Sequence, residues 1–369
     1  MRPEAVEAML PFLSERFANP SGAHAMARDA RRAIDEARDV MACVLGAAPG
    51  QIVFTSGGTE SDNLAVLGVH DRRGGTLACS SVEHHAVLDP VLSRGGRLVR
   101  VDEHGVIDLD ALIDMVDGGT ALVSVMLANN ETGAVQPLAD VAKVVREHAP
   151  HAVLHTDAVQ GFSWLDVHEL TSEADLVSIS AHKFGGPKGA GVLVVRDPSV
   201  LTARQLGGGQ ERDVRSGTHN VASIVAMARA AELTAAGRET TVARVVALRD
   251  RLAAGLVDVV PGVVVTAAEI ERTAGICHVC VEGVESEALL YLLEKRGVYA
   301  SAASSCSSGA MESSHVLAAM GVPRDLAIGS LRLSFGYAST DADVDLALEA
   351  IPAAVERLRL FTAPATAGS

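Results

Sequence analysis

At 369 residues, with 48% hydrophobic and 21% charged residues, the chain is long enough for two domains and apolar enough to bury a large core. Aromatic residues make up only 3%, so that core is mostly Ala, Val and Leu. A formal net charge of -15, with no basic stripe, excludes nucleic acid as a primary partner, because phosphate binding needs a basic surface.

Hydrophobic periodicity predicts amphipathic helices over 3–17 and 24–45, then a strand over 51–56, a Gly57-Gly58-Thr59 turn and a helix over 60–69. A glycine turn between strand and helix leaves backbone N–H groups at the positive end of the helix dipole, which suits a phosphate. An ordinary turn reads the same way, and the Gly-x4-Gly-Lys-Ser/Thr pattern of a P-loop is absent. The alternation continues with strands over 76–80, 97–101, 121–127, 152–156, 174–180 and 191–195. Helices are expected between them over 84–93, 109–116 and 137–148. Mostly unbroken apolar strands in such an alternation predict a parallel sheet covered on both faces.

Polar residues recur just beyond the carboxyl ends of these strands: His84, Asn130, Asp157, Gln160, Ser180, His182 and Lys183. In an open α/β sheet that edge is where ligands bind. Lys183 leaves its strand into Gly185-Gly186-Pro187, where neither sheet nor helix continues. A lysine held there is a candidate amine nucleophile, against the plainer reading of a solvated loop residue.

A polar, glycine-rich loop over 205–220 leads into a long helix over 221–256, and the domain boundary is placed near Gly237. The division expected is a large domain over 1–237, with residues 1–15 allowed to pack with the small domain, a small domain over 238–361, and a disordered tail over 362–369. Within the small domain, strands are expected near Val263 and Ile276 and over 331–335, and helices over 286–295 and 341–360, the last kinked or interrupted by Pro352. Residues 300–314 form a Ser/Gly/Ala loop around Cys306, expected to be mobile and to present a candidate thiol nucleophile. Cys277 and Cys280 alternate through an apolar strand with no second pair to complete a zinc site, so no metal is expected. No segment approaches about 18 uninterrupted apolar residues. Acidic residues follow Met1 where a secretory leader would be apolar, and the five cysteines form no disulfide framework; the location expected is cytoplasmic.

Several motifs together resemble the cysteine desulfurases of the NifS/IscS type, in the aminotransferase class V group. They are Thr55-Ser-Gly-Gly-Thr-Glu-Ser-Asp-Asn63, Glu83-His84-His-Ala-Val-Leu88, Asn129-Asn-Glu-Thr-Gly133, His155-Thr-Asp-Ala-Val-Gln160, Ser180-Ala-His-Lys183, Arg215-Ser-Gly-Thr218 and Ser330-Leu-Arg332. The resemblance covers nearly the whole chain. It implies an α/β, fold type I pyridoxal-phosphate transferase fold, with a large, mainly parallel seven-stranded sheet domain and a smaller α+β carboxyl-terminal domain. It also implies that Lys183 anchors pyridoxal phosphate covalently, that Asp157 pairs with the ring nitrogen, and that Gln160 bonds the ring oxygen. His84 would stack on the ring, Gly58, Thr59, Ser180 and His182 would hold the phosphate, and Thr218 would reach the neighbouring subunit's site in a homodimer. Asn130 and Arg332 would bind the carboxylate of L-cysteine, and Cys306 would take its sulfur as a persulfide for an acceptor protein, an iron–sulfur scaffold or a tRNA-thiolation enzyme.

Two departures stand out. Family members open with a strand and an Ala-Thr-Thr-Pro run lining the substrate pocket, whereas this chain starts just after that point. A misplaced start, a shortened chain and a variant pocket all fit. Before Cys306, the usual Ser-Gly-Ser-Ala stands in part as Ala303-Ser304-Ser305, with a loop glycine lost. A selenocysteine lyase, another class V enzyme and a non-catalytic scaffold remain alternatives.

Overall fold

The chain enters through α1 (Pro3–Met9) and a 3-10 turn, Leu10–Leu13, in place of one helix to residue 17. Pro11 accounts for the change, since it has no N–H to continue the ladder. The structure is a computed structural model that describes residues 1–302 and 314–362. Next comes α2 (Ala25–Leu45), capped by the His24 ring, which accepts from the Ala27 N–H, and ended by Gly46 in the left-handed region at φ 60. Its buried positions, among them Ala30, Ile34, Ala37, Met41 and Leu45, recur at helical spacing.

The remaining elements alternate: β1 (Ile52–Thr55), α3 (Gly58–Arg73), β2 (Thr76–Ser80), α4 (His85–Ser93), β3 (Arg97–Val99), α5 (Leu109–Met115) and β4 (Thr120–Ser124). After them come α6 (Leu138–His148), β5 (Val153–Asp157), α7 (Val167–Leu170), β6 (Leu176–Ser180) and β7 (Gly191–Val195). They form a 7-stranded sheet in the order β1-β7-β6-β5-β4-β2-β3. The pairs β2–β3, β2–β4, β4–β5 and β5–β6 are parallel. Only β7 runs against its neighbours β1 and β6, because the short β6–β7 connection has no room for a crossover helix. Both faces are covered: along β7, Val192 and Val194 enter one apolar layer while Leu193 and Val195 enter the other. The unbroken apolar strands follow from that double burial.

The chain divides into two compact units, the first comprising Met1–Arg100, Ile107–Ala128 and Gln136–Arg238, the second Val101–Val106, Asn129–Val135 and Glu239–Ser369. Residues 1–15 contribute Ala5 and Phe12 to the core of the first unit. The long helix α8 (Val221–Val259) carries the chain from one unit to the other. In the second unit, β8 (Val263–Val265), β9 (Ile276–Val281) and β10 (Ser330–Ser334) form an antiparallel sheet in the order β10-β9-β8. Its helices are α9 (Ser286–Glu294), α10 (His315–Ala319), α11 (Arg324–Ala327) and α12 (Asp341–Thr362). α12 runs through Pro352 without interruption, and Leu248, Leu252, Val279, Leu289, Leu331, Ile351 and Val355 share its core. Cys306 and its loop, with residues 363–369 of the expected tail, lie outside the described residues. Among the described residues no helix is long and apolar enough to cross a membrane.

Candidate active site

Helix α3 begins at Gly58, two residues earlier than expected, so Gly58 and Thr59 form its first turn instead of a preceding one. Gly57 makes this possible at φ 153, a region closed to most side chains. A Cβ on Gly57 would lie 3.6 Å from Ser180 Oγ, and one on Gly58 would lie 2.9 Å from Val159 Cγ2. The glycines therefore bring the positive end of a long helix against the end of β6 as bare backbone. The acid in that turn, Glu60, is turned elsewhere: it accepts from the Ser56 N–H at 2.7 Å and pairs with Arg215 at 2.7 Å. Burial opposes its ionisation, but Arg215 and the Ser56 N–H hold its carboxyl below the usual range. The same Arg215 ties the loop carrying exposed Thr218 to this turn.

On the other side, Ser180 Oγ and His182 Nδ1 lie 2.9 Å apart. His182 is held below its ordinary range by burial and by the charges of Lys183 and Lys188. Lys183 closes a 3-10 turn, Ala181–Lys183, with its side chain exposed. On the adjacent strand Asp157 is buried, with Oδ1 accepting from the Val159 N–H at 2.9 Å. Burial pushes its carboxyl up to about 6, against the Val159 N–H and the charge of Lys183. Gln160 follows, half-buried, in the turn closed by the Gly161 N–H on the Ala158 carbonyl. His84 caps α4, its Nδ1 accepting from the Ala86 N–H at 3.0 Å, which leaves the neutral ring's proton on Nε2.

Behind Asp157 lies a polar layer that sequence reasoning missed. His155, two residues earlier on β5 and so on the same face, is fully buried, with Nδ1 2.8 Å from Ser124 Oγ and Nε2 3.0 Å from Ser178 Oγ. Its Nε2 also lies 3.6 Å from Asp62 Oδ1. Burial lowers His155 to about 3, so the ring is neutral. Burial and the charge of Asp157 hold Asp62 well above the usual carboxylate range; burial does the same for Glu83, whose Oε1 accepts from the Met126 N–H at 2.8 Å. Asp62, Glu83 and His155 each sit inside a motif already singled out, where an acid beside a helix start or a histidine within an apolar strand was the available signal.

The remaining expected residues belong to the second unit. Asn129 Oδ1 accepts from the Glu131 and Thr132 N–H groups at 2.9 and 3.0 Å, and this turn presents the Asn130 carbonyl to Arg332 Nη1 at 3.0 Å. The Arg332 backbone exchanges hydrogen bonds with Ser301. Cys277 and Cys280 are buried in β9 with thiols pushed up to about 11 and about 12, chiefly by burial. Among the described residues, no group of three or more His, Cys, Asp or Glu is placed to hold a metal ion.

Comparison with known proteins then settles the family. The aminotransferase class V model matches residues 1–347. The chain belongs to the aminotransferase class V family. Similar curated members include the cysteine desulfurase IscS of Methanosarcina thermophila, 40% identical over 97% of this chain and 90% of that one. An IscS-like cysteine desulfurase of Mycobacterium tuberculosis is 42% identical over 97% and 94% of the two chains. Among solved structures, a NifS-like protein aligns with a TM-score of 0.90 at 34% identity, covering 97% of this chain and 96% of that one. The first unit's sheet and the smaller second unit are the fold type I architecture of class V enzymes, which depend on pyridoxal phosphate. The residues present fit that group: a glycine cradle at a helix N-terminus with Ser180 and His182 suits its phosphate, buried Asp157 its protonated ring nitrogen, and Lys183 its aldehyde.

Proposed function

We propose that the chain is a cysteine desulfurase that converts L-cysteine to L-alanine and passes the sulfur, through a persulfide on Cys306, to an acceptor protein. The observation that carries this reading is the shared face of β5 and the end of β6, where buried Asp157 and the Ser180–His182–Lys183 turn meet the start of α3. Bound there, pyridoxal phosphate supplies an aldehyde that captures an amine and a ring that accepts electrons from the substrate Cα. Gly58, Thr59, Ser180 and His182 would hold the phosphate. Asp157 would keep a proton on the ring nitrogen, Gln160 would bond the ring oxygen, and His84 would cover the ring. Lys183 Nζ would hold the aldehyde, and it is the amine placed to take the substrate's Cα proton. Asn130 and Arg332 hold the substrate carboxylate, Arg332 through its guanidinium fork. The Cys306 thiolate then attacks the substrate sulfur, forming an S–S bond as the C–S bond breaks, and the carbon skeleton leaves as alanine. A homodimer in which Thr218 completes the neighbour's phosphate site fits its exposed position.

The test is turnover of L-cysteine in the presence of a thiol reductant. Wild type should release alanine and sulfide, whereas Cys306→Ser should keep the cofactor colour and lose turnover. Full activity in Cys306→Ser would remove Cys306 from the reaction, and amino-acceptor dependence on a keto acid would favour an aminotransferase.

A further inference from the structure

We propose that Ser163, Thr234 and Arg2 are positioning residues for Lys183, clamping the run of backbone carbonyls that leads out of it. The proposal rests on the reading of Lys183 as the cofactor's anchor. Ser163 Oγ donates to the Lys183 carbonyl at 3.0 Å. Thr234 Oγ1 donates to the Phe184 carbonyl at 3.2 Å, and Arg2 Nε reaches the same oxygen at 3.4 Å. The Arg2 backbone N–H donates to the Gly185 carbonyl at 2.8 Å. Arg2 Nη2 donates to Thr234 Oγ1 at 3.3 Å, joining the parts. The clamp thus draws on the chain start, the turn after β5 and the helix α8, segments far apart in sequence.

Each part is itself seated. The Arg2 carbonyl accepts from the Ala5 and Val6 N–H groups at 3.1 and 3.2 Å, so Arg2 opens α1, whose Ala5 is fully buried. The Phe184 ring is buried against Phe162, with ring centroids 4.4 Å apart. Gly185 stands at φ +88, and a Cβ there would lie 2.7 Å from Arg2 Cγ, so the arginine stem packs directly on the backbone beyond the lysine. The contrast carries the inference. The Lys183 side chain is exposed, yet its own carbonyl and the next two are each held by a named donor. A flexible lysine on a loose loop would spread its Nζ over many positions. Fixing the backbone confines that reach, and amine capture of an aldehyde depends steeply on such placement. The clamp does not touch the phosphate cradle, so it should govern capture by Lys183 more than binding.

Thr234→Val removes both hydrogen bonds of the hydroxyl at nearly constant volume. Apoprotein of wild type, Thr234→Val and Thr234→Ser would be compared in two ways. Affinity for pyridoxamine phosphate, which has no aldehyde to engage Lys183, reports binding alone. The rate at which pyridoxal phosphate becomes borohydride-trapped on Lys183, mapped by mass spectrometry, reports placement. The expectation for Thr234→Val is pyridoxamine phosphate affinity within about twofold of wild type and capture slowed about tenfold or more, with Thr234→Ser restoring the rate. Equal losses in both measurements, or capture at the wild-type rate, would overturn the clamp. Ser163→Ala, at a half-exposed hydroxyl, should give the same split and decides the matter if Thr234→Val does not fold. Failure of wild type itself to be labelled at Lys183 would instead count against the proposed function.

Discussion

Two buried carboxylates of the first unit, Glu211 and Asp157, show what separates a structural charge from a functional one. Glu211 is saturated: it pairs with Arg38 at 2.7 Å, lies 2.6 Å from His219 Nε2, and accepts from the Phe54 N–H at 2.9 Å. Burial works against its ionisation, yet His219, Arg38 and the Phe54 N–H together bring it down to about 2. Asp157 accepts from the Val159 N–H, and burial holds it up at about 6. The protein matches the charge of Glu211 with Arg38, whereas burial raises the proton affinity of Asp157 against the opposing Val159 N–H and Lys183 charge. A carboxylate kept in that condition at a strand's end is suited to a cationic ring nitrogen.

The largest expected effect comes from breaking the saturated member. Glu211→Gln leaves Arg38 buried beside a neutral amide, and should lower unfolding free energy by about 3–5 kcal/mol in a urea titration. Because the folded value of Glu211 lies below its ordinary 4.5, its stabilisation is present above that value and is lost as pH falls toward about 2. Wild type should therefore show an acid-side loss between those values that Glu211→Gln lacks. If the variant is as stable as wild type, the two carboxylates are not different in kind.

Asp157→Asn should behave in the opposite sense. Its folded value lies above the ordinary 3.8, so whatever stability it lends is present below 3.8 and is lost as pH rises through about 6. The apoprotein variant should be at least as stable as wild type at neutral pH by thermal melting. Its affinity for pyridoxal phosphate should fall about 10- to 100-fold, the scale of a lost charge-assisted hydrogen bond. Wild-type affinity should also rise with pH through about 6 as Asp157 ionises, and fluorescence titration should find that part of the rise missing in Asp157→Asn.

The smallest effect sharpens the picture of the layer behind Asp157. Asp62 is held well above the usual carboxylate range by burial and by the charge of Asp157, which favours its neutral form. Asp62→Asn should change stability by no more than about 1 kcal/mol. A loss several times larger in chemical denaturation would mean that Asp62 carries charge.

Much of this arrangement was legible in the residues. The apolar strands doubly buried by the fold were the unbroken runs of the sequence, and the strand-end polar residues Asp157, Ser180, His182 and Lys183 followed from where those runs stop. Other features were hidden for physical reasons. Glycine's low helix propensity masked Gly58 as the opening of α3, since the φ of Gly57 that permits it is a backbone property. The reversed β7 was invisible because apolar patterning carries no direction. His155 was passed over because its partners, Ser124 and Ser178, come from other strands, and Asp62 because the His155 beside it lies far along the chain. Arg2 gave no signal at all, as its hydrogen bonds reach residues more than a hundred positions away.

Reduction of the pyridoxal-phosphate-loaded protein with borohydride, followed by peptide mapping, tests the central claim most directly. The account predicts one pyridoxyl group per chain, carried by Lys183 and absent from Lys183→Ala. A label on another lysine, or none on wild type, would contradict it.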